Sequence, residues 1–283
     1  MGFSMQVTEL LAKPITEKIY TQLSGQVQLL QAKGVIPQLA IILVGDNPAS
    51  LVYIGHKQKI AGRLGINTRL YQYPVNITEA ELLANINNLN NDSNINAVIC
   101  QLPLPGHINA HKIAEAINPY KDVDGLHPLN RGRLLSGDNE FYFTPCTALA
   151  VMELLRFYQR PPAAKKALVI GSSAIVGQPV AQLLLQATAT VTIAHSATAN
   201  LANELAMADI IVSAAGKPHF IKSSQLKAGT VVIDVGISRT DSGLVGDMLL
   251  DDATPAAYSP VPGGVGPLTV AMLMANTVKA AHN

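Results

Sequence analysis

VGDNPASLVYIGHKQK, residues 44–59, joins an apolar run to an amphipathic one across a single tight turn. It reads as the end of a strand, a turn at Gly45-Asp46-Asn47, and a helix opened by Pro48. Asn47 suits an N-cap, and proline at the first helical position gives up no hydrogen bond that the helix needed. At 3.6 residues per turn, Tyr53, Ile60 and Leu64 fall on one apolar stripe with Lys57 inside it. Gln58, Lys59 and Arg63 point away. A lysine on an inward face either snorkels its ammonium outward or sits where desolvation lowers its pKa. Snorkelling is the commoner fate. Tyr53 lies one turn earlier, so phenol and amine share a face.

Outward from this stretch, strand and helix alternate. Residues 5–34 read as a helix with Pro14 near its first turns and Gly34 at its end. Residues 38–44 are a short apolar run, best read as a buried strand. After the lysine-bearing helix stops near Gly65, residues 67–73 are a strand, 79–89 a helix and 97–102 (AVICQL) a third strand. Alternation at this spacing indicates parallel βαβ units, whose ligands gather at the carboxyl ends of strands. Val44-Gly45 and Gln101-Leu102-Pro103 are two such ends, which brings Lys57 and Gln101 to one site. Residues 121–134, KDVDGLHPLNRGRL, are turn-rich with little periodicity. Their Asp-Gly pair ordinarily means an Asx-type turn with a solvated carboxylate. A helix over 148–158 follows, and Arg160-Pro161-Pro162 is the clearest break in the chain.

The second half repeats the alternation. Strands are expected over 167–170, 189–194, 210–214 and 231–235, with helices over 178–186 and 200–207. The turn GSSAIVG, 171–177, joins the first strand to the first helix. Five residues separate its glycines, so it is not the usual G-x-G-x-x-G, and a tight strand-to-helix turn needs glycine with or without phosphate. Ala215-Gly216 ends a neighbouring strand of the same crevice, which favours nucleotide binding over packing alone. At the end of the second strand, His195-Ser196-Ala197-Thr198 lacks the carboxylate that usually binds the ribose hydroxyls of NAD. That leans slightly toward NADP. His195 by itself reads as a surface or capping histidine. SPVPGGVGPLT, 259–269, packs three prolines and three glycines into eleven residues, which reads as neither helix nor central strand but as backbone that a ligand can approach. A helix over 268–280 follows.

Composition sets the frame. The 283 residues are 48% hydrophobic and 14% charged, enough for two ordinary domains. A net charge of +1 implies no broad attraction to nucleic acid or acidic lipid. The apolar runs are too short to span a bilayer, and MGFSMQ reads as neither a signal peptide nor a myristoylation site. Cys100 and Cys146 alone make neither a disulfide framework nor a metal cluster. The expectation is a cytoplasmic α/β protein.

Six motifs now stand in order: Tyr53-x-x-x-Lys57, Gln101-Leu102-Pro103-Leu104-Pro105, Lys121-Asp122-Val123-Asp124-Gly125, Thr144-Pro145-Cys146-Thr147, Ile175-Val176-Gly177, and the proline-glycine run from Pro260 to Pro267. Together they resemble the bifunctional methylenetetrahydrofolate dehydrogenase/methenyltetrahydrofolate cyclohydrolase family, from about residue 8 to the last helix. The resemblance implies two α/β domains with a cleft between them. The first is a folate-binding domain over 1–145, completed by a C-terminal helix over 265–283. The second is a Rossmann-like NADP-binding domain over 146–264. It implies oxidation of 5,10-methylenetetrahydrofolate with NADP and hydrolysis of the methenyl product to 10-formyltetrahydrofolate, a step of one-carbon metabolism that serves purine biosynthesis. Lys57 would be the general acid/base, with Gln101 hydrogen-bonded to it. Tyr53 would pack on the folate and Asp124 take the pterin donors. Leu102, Pro262, Gly263, Gly264, Val265 and Gly266 would line the folate channel. Gly171, Ser172, Ser173, Ile175, Ser196, Ala215, Gly216 and Ile237 would hold NADP. No metal is called for, and the family's usual state is a homodimer.

The chain departs from the family in three places. Ser172 stands where many members carry an arginine that supports the NADP 2′-phosphate, and Ala197 where a basic residue is common. Ala148 and Ala150 replace the usual proline and glycine after Thr147. The first two put the strength of NADP preference in doubt. Two other readings compete: a dehydrogenase that has lost hydrolysis, and a catalytically silent nucleotide-binding paralogue. Retention of Tyr53, Lys57, Gln101 and Asp124 argues against both.

Overall fold

Gln38–Val44 alternates its side chains between two apolar layers, as a strand covered on both faces must. Leu39, Ile41 and Leu43 join one cluster with Leu23, Val27, Leu30, Ile54 and the final-helix residues Leu273, Met274 and Val278. Ala40, Ile42 and Val44 join the other, with Leu82, Ile86, Leu89 and Ile113. A computed structural model describes residues 7–137, 143–241, 243–251 and 255–282. The chain divides into two compact units. One is Lys18–Cys146 with Val270–Asn283, the other Met1–Glu17 with Thr147–Thr269.

In the first unit Gln38–Val44 is the central strand of three, flanked in parallel by Asn67–Tyr73 and Ala97–Cys100. The strand order changes direction at the centre, so the ends of Gln38–Val44 and Ala97–Cys100 form a switch point where ligands bind. Val98 also bridges Asp122, and the Val98 N–H donates to Lys121 O at 2.7 Å. The KDVDG segment is thus stitched to the sheet edge. Lys121 Nζ caps the Glu79–Asn91 helix by donating to Leu89 O and Asp92 O.

In the second unit six parallel strands stand in the order Thr8–Glu9, Ala257–Tyr258, Val231–Asp234, Ile210–Ser213, Lys166–Ile170, Thr190–Ala194. Lys166–Ile170 connects first to Thr190–Ala194 on one side, and the chain then crosses to Ile210–Ser213 on the other. This is the doubly wound pattern, with its switch point after Ile170 and Ser213.

Four expectations need correction. The first helix runs Lys13–Ala32, and Thr8–Glu9 is a strand paired with Ala257–Tyr258 in the second unit. Apolar spacing continues upstream of Pro14, but the N–H groups of Leu10 and Ala12 are committed to Tyr258 O and Gly263 O. Residues 1–6, which carry the start of that expected helix and the MGFSMQ reading, lie outside the described residues. The turn-rich 121–134 segment contains most of a short helix, Pro128–Ser136, opened by His127 and closed by Gly137 at φ +69°. A further helix, Ala110–Ala116, had no counterpart in the sequence reading. The final helix starts at Val265, the bound that the resemblance implies, and so three residues before the 268–280 stretch read from its apolar face. Pro267 fits there because the first-turn N–H groups of a helix have no partner within it.

Candidate active site

The Pro48–Leu64 helix is framed as its sequence indicates. Asn47 Oδ1 accepts from the Ser50 N–H, Pro48 follows, and Gly65 closes the helix at φ +77°. Its buried positions are Ser50, Ile54, Ala61 and Leu64. The buried stripe is therefore rotated by about one position from the expected Tyr53-Ile60-Leu64 line, because Ile54 rather than Tyr53 meets the core. Lys57 still lies within it, half-buried, while Tyr53 sits on its margin at 37% exposure.

Lys57 Nζ donates to Gln101 Oε1 at 2.9 Å. Gln101 Nε2 donates to Leu102 O at 2.8 Å, which leaves its oxygen for the lysine. Burial pulls the Lys57 ammonium below the usual lysine value, and the nearby Asp124 and Cys146 push back less strongly. The lysine is thus biased toward the free amine, the form that accepts a proton.

Asp124 is held beside this pair by its loop. Gly125 has φ +71°, and a Cβ there would lie 2.6 Å from Pro145 N, so no other residue fits the turn without displacing backbone. Val123 O accepts from Asn276 Nδ2 at 2.8 Å and from Cys146 Sγ at 3.3 Å. On the other side, Asp122 Oδ2 accepts from the His127 N–H at 2.8 Å and from Asn130 Nδ2 at 2.9 Å. Burial, the largest influence, lifts the Asp122 carboxyl to about 7, against the hydrogen bonds it accepts. Burial likewise raises the Cys146 thiol well above its ordinary value, so it stays protonated and donates. The structure brings together Lys57, Gln101, Leu102 and Asp124. Asn276 and Cys146 complete the support and were not among the expected site residues. A lone asparagine in the apolar final helix was a readable signal, since a buried amide must find partners.

In the other unit, the remaining expected residues gather at the doubly wound switch point and around it. Gly171 has φ +116°, and a Cβ there would be 2.6 Å from Ala214 O. A Cβ on Gly177 would fall 1.8 Å from Gly171 O. Both glycines are sterically required, and the turn between them leaves Ser172, Ser173 and Ile175 exposed. Ser173 Oγ accepts from the Val176 and Gly177 N–H groups at 3.3 Å. His195 and Thr198 close their own turn, with the His195 N–H donating to Thr198 Oγ1 at 2.8 Å and Ser196 exposed. A Cβ on Gly216 would meet nothing within 4 Å, so that backbone is open to approach. Gly266 and Ile237 adjoin, a Gly266 Cβ falling 3.9 Å from Ile237 Cδ1. Gly264 is confined, with its Cβ position 2.7 Å from Pro260 O. Exposed serine hydroxyls in the 171–177 turn and no carboxylate within His195–Thr198 fit a phosphorylated dinucleotide, and the open backbone at Gly216 lets a ligand approach. Pro262, Gly263, Gly264 and Val265 lie in this unit, apart in the chain from the lysine-bearing one.

Comparison with known proteins gives a consistent result. Residues 10–124 match the family model "Tetrahydrofolate dehydrogenase/cyclohydrolase, catalytic domain", and residues 145–283 match the corresponding "NAD(P)-binding domain". The "Bifunctional protein FolD" of Nautilia profundicola is 46% identical over 98% of each chain. The crystal structure of the bifunctional methylenetetrahydrofolate dehydrogenase/cyclohydrolase from Campylobacter jejuni superposes with a TM-score of 0.94 at 45% identity, covering 98% of this chain and 99% of that one. A Trypanosoma brucei dehydrogenase-cyclohydrolase, solved with NADP cofactor and inhibitor, gives 0.92 at 36% identity over 98% and 97%.

Proposed function

This chain belongs to the tetrahydrofolate dehydrogenase/cyclohydrolase family, and on that premise we propose how its own residues divide the work. It oxidises 5,10-methylenetetrahydrofolate with NADP and hydrolyses the methenyl product to 10-formyltetrahydrofolate. Bound NADP supplies the acceptor for the hydride that leaves the methylene carbon. Gly171, Ser172, Ser173, Ile175, Ser196, Ala215, Gly216 and Ile237 bind and orient the dinucleotide, and orientation is the main demand of hydride transfer.

Hydrolysis belongs to Lys57. As the free amine it takes a proton from the water that adds to the cationic methenyl carbon. As the ammonium it returns that proton to the N5 nitrogen when the carbon–N5 bond breaks. The carbinol hydroxyl proton goes to solvent as the formyl carbonyl forms, which balances the lost cationic charge. Gln101 accepts from Lys57 and fixes the direction of the amine. Asp124 offers two acceptor oxygens to the pterin donors, while Tyr53 and Leu102 pack against the substrate. The observation that carries this reading is the 2.9 Å bond from Lys57 to Gln101, on a lysine that burial biases toward neutrality.

The same proposal places the enzyme in the cytoplasm as a homodimer. Among the described residues no helix is long and apolar enough to cross a membrane. Adding methylenetetrahydrofolate and NADP to the purified chain tests the function. Reduced-cofactor absorbance should grow with the methenyl chromophore, which should then decay faster than in buffer. No cofactor reduction with NADP or NAD would overturn the dehydrogenase assignment, and decay at the buffer rate would overturn the hydrolase assignment.

A further inference from the structure

Beyond the serine-bearing turn, two aspartates and two glycines interlock at the carboxyl ends of the Ile210–Ser213 and Val231–Asp234 strands. Asp234 is 3% exposed and Asp247 0%. A Cβ on Gly236 would lie 2.1 Å from Asp247 Oδ1, and one on Gly246 would lie 2.0 Å from Asp234 Oδ2. Each carboxylate occupies the space left by a glycine next to the other aspartate. Asp234 accepts from the N–H groups of Gly236, Asp247 and Met248 at 2.9–3.1 Å, and its own N–H donates to Ser259 Oγ.

Asp247 accepts from Ser213 Oγ at 2.7 Å, Ala215 N at 2.8 Å, Gly216 N at 3.3 Å and Lys217 N at 2.8 Å. Each peptide unit carries one donor, so the backbone of Ala215, Gly216 and Lys217 has none left for a ligand. What remains is acceptor capacity on the carbonyls: Gly216 O takes a bond from Ser238 Oγ at 3.4 Å and Lys217 O one from the Phe220 N–H at 3.3 Å, and a carbonyl oxygen has two lone pairs. The Lys217 ammonium lies over the Phe220 ring, 5.3 Å from its centroid. A phosphate needs donors and finds none on this backbone, whereas hydroxyl and carboxamide groups bring their own.

We propose that Asp247 is a positioning residue that turns these three amides inward, so this wall takes the donor-bearing nicotinamide-ribose end of the cofactor and refuses its phosphates. The proposal rests on the cofactor assignment given above. Calorimetric titration of the full chain tests it with two probes, NADP⁺ and adenosine 2′,5′-bisphosphate, which lacks the nicotinamide end. Asp247→Asn keeps the shape but sets an amide NH₂ against N–H donors, and should weaken NADP⁺ about tenfold. Bisphosphate binding should hold within about twofold, and the KM for NADP⁺ should rise more than kcat falls. Ser213→Ala removes one donor and leaves the backbone bonds, so about threefold weaker NADP⁺ binding is expected. If Asp247→Asn does not fold, Ser213→Ala decides. Unchanged NADP⁺ affinity, or parallel loss of both probes in a folded variant, overturns the proposal. A wild-type chain that binds neither probe overturns the cofactor assignment itself.

Discussion

Lys57 and Asp247 both sit away from bulk water, and the chain serves them in opposite ways. Asp247 is fully buried and accepts four hydrogen bonds from groups fixed by the fold. Among the described residues Lys57 makes one, to Gln101, and its ammonium is disfavoured by burial. A buried ion whose hydrogen bonds are satisfied locks its neighbours in place. One left short of partners changes its protonation readily, and that is what proton transfer requires. Between these two residues the number of hydrogen-bond partners, more than burial, marks the difference between scaffold and chemistry.

The largest effect expected of this contrast is on hydrolysis. Lys57→Met should slow methenyl hydrolysis by about 10²–10⁴-fold while part of the hydride transfer persists, measured by assaying the two steps separately. The same variant carries a stability signature. A lysine whose folded pKa is lowered costs stability below that pKa, and the cost fades as pH rises toward its unfolded value. Lys57→Met should therefore melt above wild type at neutral pH, with the gap closing toward pH 10.5.

Asp122 is the intermediate case, hydrogen-bonded yet lifted to about 7. Its folded state holds a proton that the unfolded chain has lost, so wild-type stability falls as pH rises from about 4 to about 7. Asp122→Asn should cancel that slope, a difference of up to about 4 kcal/mol across the window, read from denaturant melts at several pH values. A slope that survives in the variant would assign it to another group. At the saturated pair, Gly246→Ala drives a methyl into Asp234 and should cost about 1–3 kcal/mol or more, seen as a lowered melting temperature. The smallest effect is on the outer turn. Ser172→Arg adds a charge-assisted contact for the 2′-phosphate and should raise the NADP-to-NAD ratio of kcat/KM about tenfold. A flat ratio means another group holds that phosphate.

The two regions also differ in how much of them the sequence disclosed. The meeting of Lys57 and Gln101 was legible because each follows a strand end with punctuation beside it, Asn47-Pro48 and Pro103, whereas the Asp124 loop by itself reads only as an Asx-type turn. The strand over 38–44 follows from an apolar run, and it and the strand over 67–73 have the expected bounds. The Asp234–Asp247 lock was not legible, since its partners are thirteen residues apart with no periodicity linking them. Nothing local marks a glycine as the seat of a distant carboxylate. Thr8–Glu9 failed for a related reason: a two-residue strand has no pattern of its own and exists only through Ala257–Tyr258. The short helices Ala110–Ala116 and Pro128–Ser136 were hidden by length, too few turns to show an apolar stripe.

The most direct test follows the proton on Lys57 itself. Isotope-labelled lysine side chains can be titrated by NMR, with the Lys57 signal assigned by its loss in Lys57→Met. Lys57 should titrate below 10.5, apart from the exposed lysines, and kcat/KM for methenyl hydrolysis should rise with the same midpoint. A Lys57 midpoint at the ordinary lysine value, with a hydrolysis profile indifferent to it, would contradict the account.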